Sequence, residues 1–147
     1  MIIKSYLFVG ICCFSLLLSC NSVAQKTNLS VPEFEYAIGQ DNIQLLDVRT
    51  PGESQSGHLK NALLADWNDK TEFQERVKSL DKNKPVYAYC LSGARSNEAA
   101  EWLRQNGFKA YNLSGGIAAW KNAGRPGDMA KTVKQITLKE YMSTTPQ

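Results

Sequence analysis

The chain has 147 residues, 43% of them hydrophobic and 21% charged, with a formal net charge of +3. That length and composition predict one compact domain rather than two. Lys and Arg are scattered among Asp and Glu, with no basic stripe and no interleaved aromatic patch, so a nucleic-acid partner is not expected.

At the N-terminus, Lys4 precedes an apolar run from Tyr6 to Leu18 that is too short for a comfortable bilayer span. The run ends in Leu17-Leu18-Ser19-Cys20, which resembles a bacterial lipobox, where cleavage before the cysteine leaves its thiol to be lipidated. The expectation is a lipoprotein signal peptide over 1–19, lipidation at Cys20, and a polar linker over 20–29. An ordinary secretory signal with Cys20 incidental is the alternative. Either way the protein is exported, and the lipobox makes it a membrane-anchored lipoprotein facing the periplasm. Cys12 and Cys13 leave with the signal, so Cys90 is the free thiol of the mature chain. An internal disulfide, a cysteine-based metal site and a Cys-x-x-Cys redox pair all need a further sulfur, and none of these is expected.

The domain is expected over 30–126. Ser30-Val31-Pro32-Glu33 reads as a capping box with Pro in the first turn, and Phe34, Ala37 and Ile38 supply the apolar face of a helix ended by Gly39. Ile43 to Val48 reads as a strand with Asp47 near its C-terminal end, and Arg49 to Gly57 as a loop marked by Pro51-Gly52. Ala62 to Ala65 is a short strand. Thr71 opens a helix that places Phe73, Val77 and Leu80 on one face. Val86 to Tyr89 is a buried strand, and the helix after it runs to Asn106-Gly107. Ala110 to Leu113 is the last strand, turned by Ser114-Gly115-Gly116 into a helix that stops at Gly124-Arg125-Pro126. Strands alternating with helices over short loops imply parallel pairing with helices on both faces of the sheet. Residues 127–147 read as a polar tail. Trp67, Trp102 and Trp120 are assigned to the core or a pocket wall.

The stretch from Val86 to Ser96 carries the chemistry. A strand ending on Cys90, a tight loop with Gly93 and a helix start aim backbone N–H groups and the positive helix end at the sulfur, which favours the thiolate. Arg95 adds positive charge at the end of the loop. A thiolate facing such donors can act as a nucleophile toward a small anion, because the same donors hold the product left on sulfur. A buried structural cysteine is the bland alternative.

Three motifs then resemble the single-domain rhodanese, or thiosulfate sulfurtransferase-like, family. Asp47-Val48-Arg49, followed by Glu53, Gly57-His58-Leu59 and Ala62, looks like its first signature. Cys90-Leu91-Ser92-Gly93-Ala94-Arg95-Ser96 looks like its active-site loop, and Leu113-Ser114-Gly115-Gly116 with Trp120 like its closing signature. The resemblance covers about Ile38 to Pro126. It implies an α/β fold with a five-stranded parallel sheet, Cys90 as the sulfur-accepting nucleophile, and Leu91, Ser92, Gly93, Ala94 and Arg95 as the substrate-binding loop. It also implies a small sulfur donor such as thiosulfate or a persulfide, and a thiol or cyanide-like acceptor. No metal or organic cofactor is called for, since the sulfur is carried covalently. Asp47, Arg49 and His58 are assigned to structural support of the site: Asp47 to bond loop N–H groups or Arg49, and His58 to its Gly-flanked turn rather than to a Cys-His dyad. Many loops of this type place Arg directly after the cysteine. Leu91 stands there, so weaker use of thiosulfate than of a less charged persulfide is expected.

Two other classes stay open. Phosphatase and arsenate-reductase loops also run from Cys to Arg-Ser, but they enclose five residues where Cys90 and Arg95 enclose four, and they place His where Tyr89 stands. A non-enzymatic sulfur-carrier or binding module would keep the fold without turnover.

Overall fold

The computed structural model describes residues 25–127. The expected signal peptide, Cys20 and the expected tail from Asp128 onward lie outside the described residues.

Five parallel strands make one sheet: β1 (Asn28–Leu29), β2 (Gln44–Asp47), β3 (Leu63–Leu64), β4 (Val86–Tyr89) and β5 (Ala110–Leu113), in the spatial order β1-β5-β4-β2-β3. Parallel neighbours need crossovers, and each crossover here carries a helix. These are α1 (Val31–Ile38), α2 (Pro51–Gln55), α3 (Lys70–Val77) and α4 (Ala94–Gln105), with α5 (Gly116–Asn122) following β5. The register sets Asp47 beside Tyr89 and Leu64, so the three ends of β2, β4 and β3 finish level with one another.

The period-two alternation of the strands divides the core in two. Leu46, Val48, Val86, Ala88 and Cys90 face a cluster with Phe73 and Val77 of α3 and Ala99 and Leu103 of α4. Leu45, Tyr89 and Leu113 face the opposite cluster, with Phe34 of α1 and Ile117 and Trp120 of α5. The sheet is therefore covered on both faces. Trp67 and Trp120 are buried and Trp102 packs against the first cluster, as core residues. Edge-on aromatic pairs pack on the two faces, Trp67–Phe73 at 4.8 Å between ring centroids joining the turn after β3 to α3, and Phe34–Tyr87 at 5.8 Å joining α1 to β4.

Two elements, β1 and α2, were not expected from the sequence. Strand β1 lies in the segment expected as linker, and it exists because Asn112 N–H donates to Thr27 O and Ser114 N–H to Leu29 O, both at 2.8 Å. Helix α2 lies in the expected loop. Thr50 caps it: its hydroxyl accepts from Glu53 N–H at 3.3 Å, and the Glu53 carboxylate accepts from Thr50 N–H at 3.0 Å. Helix α3 also starts one residue early, at Lys70, because Asp69 accepts from the N–H groups of Thr71 and Glu72.

Candidate active site

Cys90 is the first residue beyond β4, at the carboxyl end of the central strands, where open parallel sheets place their ligands. Its side chain is 1% exposed. The loop then turns at Gly93, whose φ of +93° directs its N–H back to Cys90 Sγ at 3.1 Å. A side chain at Gly93 would also stand 3.0 Å from Gly115 N and Leu113 O.

The outside of the loop is gripped by α5. Ile117 N–H donates to Cys90 O at 2.8 Å and Ala118 N–H to Leu91 O at 3.1 Å, so the loop carbonyls are turned away from the sulfur and its amides face it. That approach requires Gly116: a Cβ there would lie 2.5 Å from both Cys90 O and Leu91 O.

Burial pushes the Cys90 thiol up. Hydrogen bonds from the Ser96 hydroxyl and from the N–H groups of Ser96, Gly93 and Ser92 outweigh it, and the thiol ends below its ordinary value. Ser96 is fully buried, and its hydroxyl also lies 2.7 Å from Asn112 Oδ1. A hydroxyl carries one proton, so it serves the sulfur or Asn112, not both at once.

Arg95 forms two parallel bonds to Glu53: Nη1 to Oε2 at 2.8 Å and Nη2 to Oε1 at 2.6 Å. Glu53 is itself held by the Thr50 N–H and hydroxyl, each at 3.0 Å, and these partners, Arg95 foremost, bring its carboxyl down to about 2. The charge expected to greet a substrate is thus engaged by a fixed carboxylate. Leu91 is 50% exposed, and Ser92 and Ala94 are exposed.

Behind the loop lies a buried polar network. Arg49 Nη2 and Nε donate to Asp47 Oδ2 at 2.6 Å and Oδ1 at 2.9 Å, with Asp47 1% and Arg49 2% exposed. Burial alone would lower the Arg49 pKa; the bond to Asp47 reverses this and leaves it raised. Asp47 also accepts from Tyr89 OH at 3.0 Å and from Arg49 N–H at 3.1 Å, while Arg49 reaches Gly57 O at 2.9 Å and Glu53 O at 3.2 Å. Tyr89 OH in turn accepts from Leu59 N–H at 3.0 Å. The network joins β2, β4 and the α2 turn, which carries the partner of Arg95. His58 is half-buried, with Nδ1 3.4 Å from Ser54 O, and the donors to Cys90 come from its own loop and α4 instead.

Glu53, Ser96 and Gly116 were not among the sequence-assigned site residues. The Thr50-Pro51-Gly52-Glu53 capping pattern and the Ser after Arg95 were the available signals. Among the described residues no group of three or more His, Cys, Asp or Glu could hold a metal ion. A cavity of about 580 Å³ lies at the opposite, amino end of the strands, lined by residues including Ile43, Gln44, Lys60, Asn61 and Pro126, and it does not include Cys90.

Residues 30–123 match the family described as the Rhodanese-like domain. The chain is 37% identical over 87 residues to a sulfurtransferase of Allochromatium vinosum, covering 58% of this chain and 78% of that one. It is 38% identical over 93 residues to a tRNA uridine(34) hydroxylase of Cytophaga hutchinsonii, covering 61% of this chain but only 30% of that protein. Among solved structures, a rhodanese-related protein from Thermoplasma volcanium superposes with a TM-score of 0.62 at 28% identity, over 69% of this chain and 97% of that one. With a five-stranded parallel sheet, a cysteine loop at its carboxyl end and a family match over most of the described residues, the chain belongs to the rhodanese-like domain family.

Proposed function

We propose that the protein is a sulfurtransferase that carries sulfane sulfur as a persulfide on Cys90. The observation that carries this reading is the Cys90 sulfur itself, buried among loop amides and held below the ordinary thiol range. The Cys90 thiolate attacks the outer sulfur of the donor, the donor S–S bond breaks, and the leaving group departs with the electron pair, as sulfite from thiosulfate or as a thiolate from a persulfide. The N–H groups that favoured the thiolate then favour the persulfide anion. A thiol or cyanide attacks the outer sulfur and regenerates the thiolate. Leu91, Ser92, Gly93, Ala94 and Arg95 form the loop around the reacting sulfur, while Asp47, Arg49 and His58 support it from behind.

The four-residue spacing between Cys90 and Arg95 supports sulfur over phosphate, since a single sulfur needs less room than a phosphoryl group. Engagement of Arg95 by Glu53 points the same way, because a fixed carboxylate already balances the guanidinium charge that a phosphate would use at that position. The same proposal places the mature protein outside the cytoplasm, held to a membrane by lipid on Cys20 and facing the periplasm. Its basis is the Leu17-Leu18-Ser19-Cys20 run. No helix among the described residues is long and apolar enough to cross a membrane.

The test is incubation of purified protein with thiosulfate and with a small persulfide. The intact mass should rise by one sulfur, cyanide should reverse it with release of thiocyanate, and Cys90→Ser should show neither. Cys90-dependent turnover of an aryl phosphate would replace the reading with a phosphatase, and failure with every donor would favour a binding module.

A further inference from the structure

Ser96 is the third residue of α4 and is fully buried between two acceptors. One is the Cys90 sulfur. Against burial, which pushes the thiol up, the Ser96 hydroxyl is the foremost hydrogen bond bringing it down. The other acceptor is Asn112 Oδ1 on β5, 2.7 Å away and likewise buried. The Asn112 amide is held from its far side as well. In-register pairing of β1 with β5 sets Asn28 beside Asn112, and Asn112 Nδ2 donates to Asn28 Oδ1 at 2.8 Å. With the amide nitrogen bound outward to β1, the amide oxygen faces inward to Ser96. A turned amide would set its oxygen against Asn28 Oδ1, so β1 fixes which end Ser96 meets. The single Ser96 proton therefore has two claimants: a sulfur that changes charge during turnover, and an oxygen that does not.

We infer that Asn112 is a positioning residue that competes with Cys90 for the Ser96 hydroxyl proton, and that Asn28 of β1 holds the Asn112 amide oxygen in place to do so. The inference deepens the sulfurtransferase reading and rests on it for the loading step. That step is Cys90–S⁻ + S–SO₃²⁻ → Cys90–S–S⁻ + SO₃²⁻. The new sulfur–sulfur bond forms as the donor's breaks, and sulfite leaves with the electron pair. The negative charge moves from Sγ to the outer sulfur. The Ser96 hydroxyl donates to Sγ while it is a thiolate, and returns to Asn112 Oδ1 once Sγ is a divalent, uncharged sulfur. Without Asn112 the loaded state would leave a buried hydroxyl donor unpaired. Asn112 thus holds the thiolate back and favours the persulfide.

The experiment follows alkylation of Cys90 by iodoacetamide against pH in the full chain, with peptide mass identifying the site. Asn112→Leu keeps the side-chain volume and the β5 backbone bonds and removes the competing oxygen. Its profile should move to lower pH by about half a unit or more, roughly threefold in rate below the thiol value. Asn28→Ala, at an exposed position, should move the profile the same way, since the released amide can turn its nitrogen to Ser96. In a Ser96→Ala background neither substitution should move it. A residue that served packing alone would loosen the loop and move the profile upward or not at all. The charged groups around the loop are Arg95 of α4, paired with Glu53 of α2, and the Asp47–Arg49 pair behind it from β2; every variant leaves them in place. An unmoved or raised profile in folded Asn112→Leu, an unmoved profile in Asn28→Ala, or a shift that survives in Ser96→Ala overturns the inference. If Asn112→Leu does not fold, Asn28→Ala and its double with Ser96→Ala decide alone. With thiosulfate and sulfite at a fixed ratio, folded Asn112→Leu should also hold about threefold less persulfide than wild type, and an equal share overturns the inference. Wild type that gains no sulfur at all removes the sulfurtransferase reading, whereas the alkylation profiles, which need no sulfur donor, still decide the role of Asn112.

Discussion

Gly116→Ala tests the coupling between α5 and the nucleophile loop. The residue sits at φ +58°, and its missing side chain is what allows Cys90 O and Leu91 O to approach, each 2.5 Å from where a Cβ would be. A left-handed backbone alone costs a non-glycine residue about 1 kcal/mol. The methyl group must also push α5 off the loop, which weakens the bonds from Ile117 N–H and Ala118 N–H to those two carbonyls, each worth about 1 kcal/mol. The expected loss is about 3 kcal/mol. Gly124→Ala is the control: Gly124 also has positive φ, +68°, but nothing lies within 4 Å of its Cβ position, so only the backbone cost of about 1 kcal/mol should appear. Urea unfolding followed by tryptophan fluorescence measures both, with Trp120 on α5 as the nearest reporter. At about 4–8 °C per kcal/mol for a domain of this size, the two variants should also separate clearly in thermal melts. Folded Gly116→Ala should load sulfur on Cys90 more slowly, because the loop amides are no longer held toward Sγ. Equal destabilisation of the two variants would refute the argument that the loop and α5 are held in register by the absence of a side chain.

Arg49→Met leaves the Asp47 carboxyl buried without its guanidinium partner, and should cost about 3–5 kcal/mol in urea unfolding. Adding Asp47→Leu should recover much of that, and a cost below about 1 kcal/mol for Arg49→Met alone would show that the pair is not a structural tie. Ser96→Ala removes one of the hydrogen bonds that hold the Cys90 thiol low, so the pH profile of Cys90 alkylation by iodoacetamide should move upward; an unmoved profile would mean that the hydroxyl serves Asn112 instead. The sign for stability follows: a thiol held lower in the folded than in the unfolded chain contributes stability above its ordinary value, and that contribution is lost as pH falls through the folded value. Ser96→Ala should therefore lose this part of its stability on the alkaline side, measured as a smaller gain in urea midpoint with rising pH. Cys20→Ala should move the protein from the membrane to the soluble fraction, and wild-type protein found soluble in the periplasm would end the lipoprotein reading.

The local parts of this protein are legible in the sequence because their signals lie within a few residues of chain. The short apolar run over Val86–Tyr89, the glycine at Gly93 and the apolar spacing of Ala99, Ala100 and Leu103 specify a strand, a turn and a helix, and with them a cysteine facing amides. Ser30 and Glu33 announce the start of α1 in the same way, the Glu33 carboxylate accepting from Ser30 N–H at 2.8 Å. Residues Asn28–Leu29 carry no such signal: two residues cannot show a period, and they become a strand only because the edge of β5 offers the N–H groups of Asn112 and Ser114 to Thr27 O and Leu29 O. Helix α2 was hidden for a similar reason, since five residues beginning Pro-Gly resemble a turn until Glu53 is seen folding back on Thr50. What only the tertiary structure decided is the charge at the nucleophile. Arg95 and Glu53 are 42 residues apart, and the sequence names both, but whether the arginine is free depends on the sheet order that sets β4 beside β2 and so brings the α2 turn to the Cys90 loop. Pairing across that distance follows from which strands are neighbours, and no pattern within either segment encodes it.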